Sequence, residues 1–235
     1  MSGFGEAAER FWAAIDVDRV PEDVVAVGDD LRPETLLAAY RHGCFPWPAP
    51  GWSAVPWCSP RIRAVLPLHA MHISRTLRRT LRRTGWTTTL NGAFDDVVRH
   101  CADRRSTWIT PEMAAGYGAL HRAGHAHSVE VWSRNALVGG IYGVLTGGVF
   151  SGESMFHLQS DASKAALVDL ADRLAGAGVS LLDCQQPTEH LQRMGSVVVS
   201  RNDYLHLLRR LRDSPVALEP GRLPVTRLAG DTPNR

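Results

Sequence analysis

Between Asn135 and Gly152 the chain runs eighteen residues without a charge. No other stretch limits the fold as strongly. Six of those residues are glycine and Thr146 interrupts the run, so it makes a poor membrane helix. The Thr146-Gly147-Gly148 triplet reads instead as a tight turn between two apolar strands. A buried sheet is therefore expected at the centre of the protein.

The chain has 235 residues, 44% hydrophobic and 21% charged, enough for one large domain or a small one leaning on a larger one. It is too apolar for a disordered chain, and no Gly-X-Y period, heptad run or longer repeat suggests a fibre or solenoid. Glu6 and Glu9 precede the first basic residue and no continuous apolar run follows, unlike a signal peptide. A cytoplasmic protein without membrane contact is expected. Cys44, Cys58, Cys101 and Cys184 form neither a C-x-x-C pair nor a disulfide framework, and read as structural thiols. His121, His125 and His127 lack the further convergent ligands a zinc site requires, so no metal is expected.

Residues 46–60, PWPAPGWSAVPWCSP, hold five prolines and three tryptophans, which excludes regular helix and suggests an ordered connector. Residues 1–60 are thus expected to form a small N-terminal domain, with Pro33 to Gly43 as a helix carrying Leu36, Leu37 and Tyr40 to a core. Residues 61–213 form the main domain. Residues 214–235 are read as a tail without regular structure.

In the main domain, Ile73, Leu77 and Leu81 face one way on a helix while Arg75, Arg78, Arg79, Arg82 and Arg83 face the other. Without those five the net charge falls from +2 to −3, so the basicity is a patch. Such a patch suits phosphates. All but one of the 26 basic residues are Arg, however, and that bias alone yields arginine-rich, merely solvated helix faces.

The expected order continues as a strand (Trp86–Leu90), helices (Ala93–Ala102, Pro111–Ala123) and a meander (Ser128–Trp132, Leu137–Leu145, Val149–Ser151). It ends with a helix (Ala162–Ala175), a strand (Val179–Cys184), a short helix near Thr188–Arg193, a strand (Ser196–Ser200) and a helix (Asp203–Leu211). This is an α+β order, an N-acetyltransferase-like mixed sheet flanked by helices. The usual pyrophosphate loop of that superfamily is glycine-rich. SGESMFHLQSDASKAAL has no glycine between Gly152 and the helix, which disfavours coenzyme A as the acyl donor.

Several segments closely resemble the leucyl/phenylalanyl-tRNA-protein transferases: GDDLRPETLLAAYRHGCFPW, WCSPRIRAVLP, HISRTLRR, TWIT, GHAHSVEVW, LVGGIYGV, SGESMF with ASKAAL, LLDCQ, and RNDYL. They span roughly residues 28 to 205 in the family's order and spacing. The resemblance implies transfer of Leu or Phe, with Met a further donor, from aminoacyl-tRNA to the N-terminal Arg or Lys of proteins. That transfer creates a bacterial N-end degradation signal, and it uses no ATP, metal or coenzyme. A monomer is expected. The rivals are an acyl-coenzyme A-dependent N-acyltransferase, a relative serving cell-wall precursors, and a noncatalytic RNA-binding protein.

An aminoacyl ester is already activated, so alignment of an amine and stabilisation of an oxyanion suffice without a covalent nucleophile. Asp183 and Gln185 alternate around Cys184 at a strand end, which predicts that both face one substrate. The resemblance implies that Asp183 orients Gln185, whose amide oxygen accepts a hydrogen bond from the attacking amine. Glu153 is the other carboxylate, suited to attract a cationic N-terminal residue or to cap a loop. For the donor side chain, Leu167, Leu170 and Leu174 on one helix face, with Ile141 and Met155, read either as core or, by resemblance, as an apolar pocket. Family members often carry aromatics at the positions of Leu170 and Leu174, which implies a wider pocket here. Trp47 and Trp108, with Tyr40 nearby, would hold the 3′-terminal adenosine, and the five arginines the acceptor-stem phosphates.

Overall fold

The computed structural model describes residues 3–48, 52–104 and 107–230. The N-terminal part holds α1 (Gly3–Ala13), a 3-10 turn at Val17–Arg19, β1 (Val24–Val27), α2 (Pro33–Arg41), β2 (Phe45–Pro46) and β3 (Pro56–Cys58). Its strands make a small antiparallel sheet in the order β1-β3-β2. The proline-rich connector thus supplies β3 and part of β2, while its residues 49–51 lie outside the described ones. Trp12, Tyr40, Phe45 and Trp57 bury into the same core as Tyr142 and Tyr204 of the main domain, so the two parts share their packing.

The main domain contains β4 (Ile62–Pro67), a 3-10 turn at Leu68–Ala70, α3 (Arg75–Arg83), β5 (Thr87–Leu90), α4 (Phe94–Ala102), α5 (Pro111–Arg122), β6 (Ala126–Ser133), β7 (Ala136–Thr146) and β8 (Val149–His157). Then follow α6 (Ala162–Gly176), β9 (Leu181–Gln185), α7 (Glu189–Arg193), β10 (Val197–Ser200), α8 (Arg201–Leu211), β11 (Leu223–Pro224) and a 3-10 turn at Val225–Ala229. Eight strands form one mixed sheet in the order β10-β4-β9-β8-β7-β6-β5-β11. Only the β8/β9 pair is parallel.

Local chemistry explains the elements. Hydroxyls of Ser74, Thr110 and Ser200 accept the backbone N–H three residues on, at 3.2, 3.2 and 3.1 Å, and start α3, α5 and α8. Pro33 and Pro111 occupy the first turns of α2 and α5, where no intrahelical N–H is lost. The uncharged run becomes β7, the turn at Gly147 (φ 54°) and the start of β8, as its glycine-broken pattern predicts. At Gly139 a Cβ would stand 2.6 Å from the Ala162 Cβ, so the missing side chain lets the start of α6 lie directly on the sheet. Ten residues of α6 are buried, which makes it the central helix.

Residues 214–230 are ordered, contrary to the loose tail expected. β11 pairs with β5, Arg173 of α6 donates to the carbonyls of Glu219 and Gly221, and Arg227 pairs with the buried carboxylate of Asp169. The last 3-10 turn then packs on α3. This segment carries few periodic apolar residues, because long-range arginine contacts hold it. Residues 231–235 lie outside the described ones. Among the described residues no helix is long and apolar enough to cross a membrane.

Candidate active site

The site begins where the sheet opens. β8 and β9 pair through Val149, Phe150 and Ser151 opposite Leu181, Leu182 and Asp183, and no further. β8 runs on to His157, while β9 ends at Gln185 in a left-handed conformation (φ 63°). The splayed ends border a cleft of about 700 Å³ whose walls include Trp47, Trp108, Ile141, Glu153, Met155, Leu167, Cys184 and Gln185.

Asp183 does not face that cleft, contrary to the alternation expected of the strand. Val65 pairs with Asp183 and Ala64 with Gln185, so Cys184 is an extra residue and the pairing bulges there. The bulge and the left-handed Gln185 break the two-residue period, and Cys184 and Gln185 both line the cleft. Asp183 is sealed behind them. Its carboxylate accepts from Arg63 Nε at 2.8 Å and Nη2 at 2.6 Å, from Tyr204 Oη at 2.9 Å and from Ser151 Oγ at 3.1 Å. The guanidinium of Arg63 also lies 4.3 Å from the Tyr204 ring centroid and 4.8 Å from that of Phe45. Burial opposes the charge on Arg63, and Asp183 beside it more than offsets this, so Arg63 stays cationic. Asp183 acts on Gln185 through the backbone, accepting the Gln185 N–H at 2.9 Å. This bond holds a conformation that a non-glycine residue adopts at a cost of about 1–3 kcal/mol.

The Gln185 side chain is aligned from the other wall. Its Nε2 donates to Glu153 Oε1 at 2.7 Å, which leaves the amide oxygen without a partner among the described residues and at the cleft. Tyr117 Oη donates to Glu153 Oε2 at 2.8 Å, and Tyr40 Oη meets Tyr117 Oη at 2.8 Å. Tyr40 is 2% exposed and belongs to this chain of hydroxyls; it does not line the cleft beside the tryptophans. Burial pushes the Glu153 carboxyl up to about 7, with the two tyrosines opposing the shift and Asp183 adding to it. The Cys184 thiol is pushed well up by burial and then by Asp183, so it is a poor nucleophile.

Trp47 and Trp108 stack with ring centroids 5.6 Å apart and 15° between planes. Both line the cleft, and a base there meets a ready aromatic surface. Ile141, Met155 and Leu167 also line it, joined by Leu182. Leu170 and Leu174 are fully buried in the core and are not cleft residues, because α6 carries its later turns away beneath the sheet. Thr188 caps α7 through the Leu191 N–H at 3.3 Å and also borders the cleft.

The arginine face of α3 is divided. Arg75, Arg79, Arg82 and Arg83 are exposed, whereas Arg78 is half-buried and donates to the carbonyls of Ile73 and Gly230. Arg82 also reaches back, donating to the Ala229 carbonyl at 2.8 Å. All four cysteines are free, and among the described residues no cluster of three or more His, Cys, Asp or Glu is placed to hold a metal ion.

Arg63, Ser151, Tyr117 and Tyr204 escaped the sequence reading. For Arg63 a signal existed: RIRAVLP and LLDCQ each bury one charge in an apolar strand, and two such strands in one sheet call for the charges to meet. The tyrosines lie on remote helices with no spacing that links them to Glu153.

A mixed sheet splayed at its one parallel pair, flanked by helices and joined to a small N-terminal part, defines an N-acetyltransferase-like acyl-transfer fold. The profile of the leucyl/phenylalanyl-tRNA protein transferases matches residues 65–209, and that of their N-terminal domain matches residues 29–61. The chain is 47% identical over 209 residues to a leucyl/phenylalanyl-tRNA-protein transferase of Nitratidesulfovibrio vulgaris (strain DP4), covering 87% of this chain and 89% of that one. It is 46% identical over 205 residues to one of Stutzerimonas stutzeri (strain A1501), covering 86% and 90%. Among solved structures it is similar to FemX, with a TM-score of 0.45 and 9% identity over 64% of each chain. The chain belongs to the leucyl/phenylalanyl-tRNA protein transferase family.

Proposed function

We propose that the protein moves Leu or Phe from the 3′ end of an aminoacyl-tRNA to the N-terminal Arg or Lys of a protein, acting as a monomer and without a cofactor. The observation that carries this reading is the Gln185 amide. Glu153 holds its Nε2, so its oxygen is free to accept an N–H from an incoming amine beside an apolar wall and two tryptophans. A Gln is too weak a base to keep the proton. The amine nitrogen bonds to the ester carbonyl carbon, the carbon–ribose oxygen bond breaks, and the amine proton leaves on the ribose oxygen of the departing tRNA. The chain's share is alignment of an already activated ester. Each Glu153 oxygen accepts one hydrogen bond and keeps a lone pair, which suits it to draw in the cationic acceptor terminus.

The decisive experiment offers labelled Leu-tRNA with peptides beginning in Arg, Lys or Ala, and acetyl-coenzyme A in a parallel reaction. Transfer to Arg and Lys alone is expected. Acetyl transfer from coenzyme A, or no leucyl transfer at all, refutes the reading.

Donor choice follows from the cleft wall. Leu167→Phe narrows the cleft and is expected to favour Leu over Phe by about tenfold, within the ~1–3 kcal/mol that a methylene-scale change yields in an apolar pocket. Leu170→Phe, in a packed core, is expected to lower stability by about 1–3 kcal/mol and to leave the donor ratio unchanged. Competition between Leu-tRNA and Phe-tRNA, with urea denaturation of each variant, measures both effects.

For the tRNA body, Arg75, Arg79 and Arg83 make no hydrogen bond or ion pair with the described residues and are placed to meet phosphates. Changing these three to Gln is expected to reduce the magnitude of the slope of log binding constant against log salt by about 2–3. An unchanged slope assigns this face to solvent. Arg78 and Arg82 are poor choices for that test, since they hold the C-terminal turn.

A further inference from the structure

We propose that Lys164, with the start of α6 and His190, forms a subsite for the phosphodiester joining the donor's terminal adenosine to the preceding nucleotide. This rests on the donor reading above. Lys164 is the only lysine in a chain whose other 25 basic residues are arginine, and it lies at the cleft. Its ammonium is half-buried and donates to Asp161 Oδ1 at 2.6 Å, which leaves two of its three N–H donors available. An ammonium on a flexible stem suits a phosphate that must be released after each turnover.

The surroundings favour an anion independently of Lys164. No side chain caps α6, and Ser163 and Lys164 of its first turn both line the cleft. First-turn N–H groups have no intrahelical acceptor and carry the positive end of the helix. His157 and His190 stand on the same wall. The one carboxylate beside Lys164, that of Asp161, is already engaged, Oδ1 by Lys164 and Oδ2 by Thr80 Oγ1 at 3.1 Å. Thr80 belongs to α3, so this link joins the arginine helix to the cleft mouth. A strand running from phosphates on α3 to a base at Trp47 and Trp108 therefore passes Lys164.

The test compares two minimal donors, phenylalanine esterified to adenosine alone and phenylalanine esterified to the trinucleotide CCA. Lys164→Gln is expected to raise KM for the trinucleotide donor about tenfold, a loss of roughly 1.4 kcal/mol, and to leave KM for the adenosine donor unchanged. Lys164→Arg should recover most of the loss, because it restores the charge. Equal effects on both donors, or none on either, overturn the subsite. Because the chain has one lysine, reductive methylation marks its ammonium without competition from other lysine side chains. Uncharged CCA should protect it and adenosine should not. Transfer by the wild-type protein without such protection overturns the subsite alone, whereas protection without transfer overturns the donor reading and leaves the subsite standing.

Discussion

Asp183→Ala is expected to destabilise the fold by about 3–5 kcal/mol and to reduce transfer beyond what the loss of folded protein explains. Removing the carboxylate leaves Arg63, 1% exposed, as an uncompensated charge among Phe45, Tyr204 and the Gly43 carbonyl. It also frees the Gln185 N–H, so the left-handed turn that aims the amide loses its anchor. The two consequences separate in the double variant Arg63→Met with Asp183→Leu. Replacing a buried ion pair with apolar groups is often neutral or stabilising, so this protein should unfold near the wild-type urea midpoint. Its single-turnover transfer rate should nevertheless stay low, because the Gln185 anchor is still missing. A double variant with wild-type rate would show that Asp183 serves the fold alone.

Glu153→Gln is expected to raise KM for an Arg-starting peptide by about tenfold to a hundredfold at pH 8 and to abolish its dependence on pH below 7. The sign follows from the carboxyl's position near 7. Above that value Glu153 is ionised and attracts a cation. At pH 6 only about a tenth of it is ionised, so the wild-type KM should rise about tenfold from pH 8 to pH 6. The α-amine of the acceptor, with an ordinary value of ~7.7–8.0, shapes kcat and not this limb. Stability runs the opposite way. A carboxyl raised from 4.5 to about 7 in the folded state stabilises the fold when protonated, relative to its ionised form, and that contribution is lost as pH climbs through 7. A wild-type acceptor KM that stays flat from pH 6 to pH 8 would remove Glu153 from acceptor binding.

Much of the main domain was legible because its elements carry their own signals. The alternation of Leu and Arg in α3, the Gly-broken run of β7 and the capped starts of α5 and α8 are local, and each stands where the pattern puts it. α1 and β4 were not read. β4 hides because Ile62 is 57% exposed while its neighbour Arg63 is buried, the reverse of what hydropathy predicts. The order of the last residues was equally hidden, since Arg173 and Arg227 tie them to α6 from far away in sequence.

The same division runs through the site. From the sequence alone came the residue types that meet at the cleft: an amide and a carboxylate at adjoining strand ends, two tryptophans and an apolar helix face. Their types follow from local pattern and from family motifs, and Gln185, Glu153, Trp47, Trp108 and Leu167 all border the cleft. Which of the other named residues reach it was decided by tertiary structure. One bulged residue at Cys184 turned Asp183 inward to Arg63, since an added residue inverts a period of two. Tyr40 went to the Tyr117–Glu153 chain because docking of the N-terminal part sets where α2 presents its hydroxyl. Leu170 and Leu174 share a helix face with Leu167, but the axis of α6 runs away from the cleft, and a helical period specifies which residues share a face without specifying how far along the helix a cavity extends.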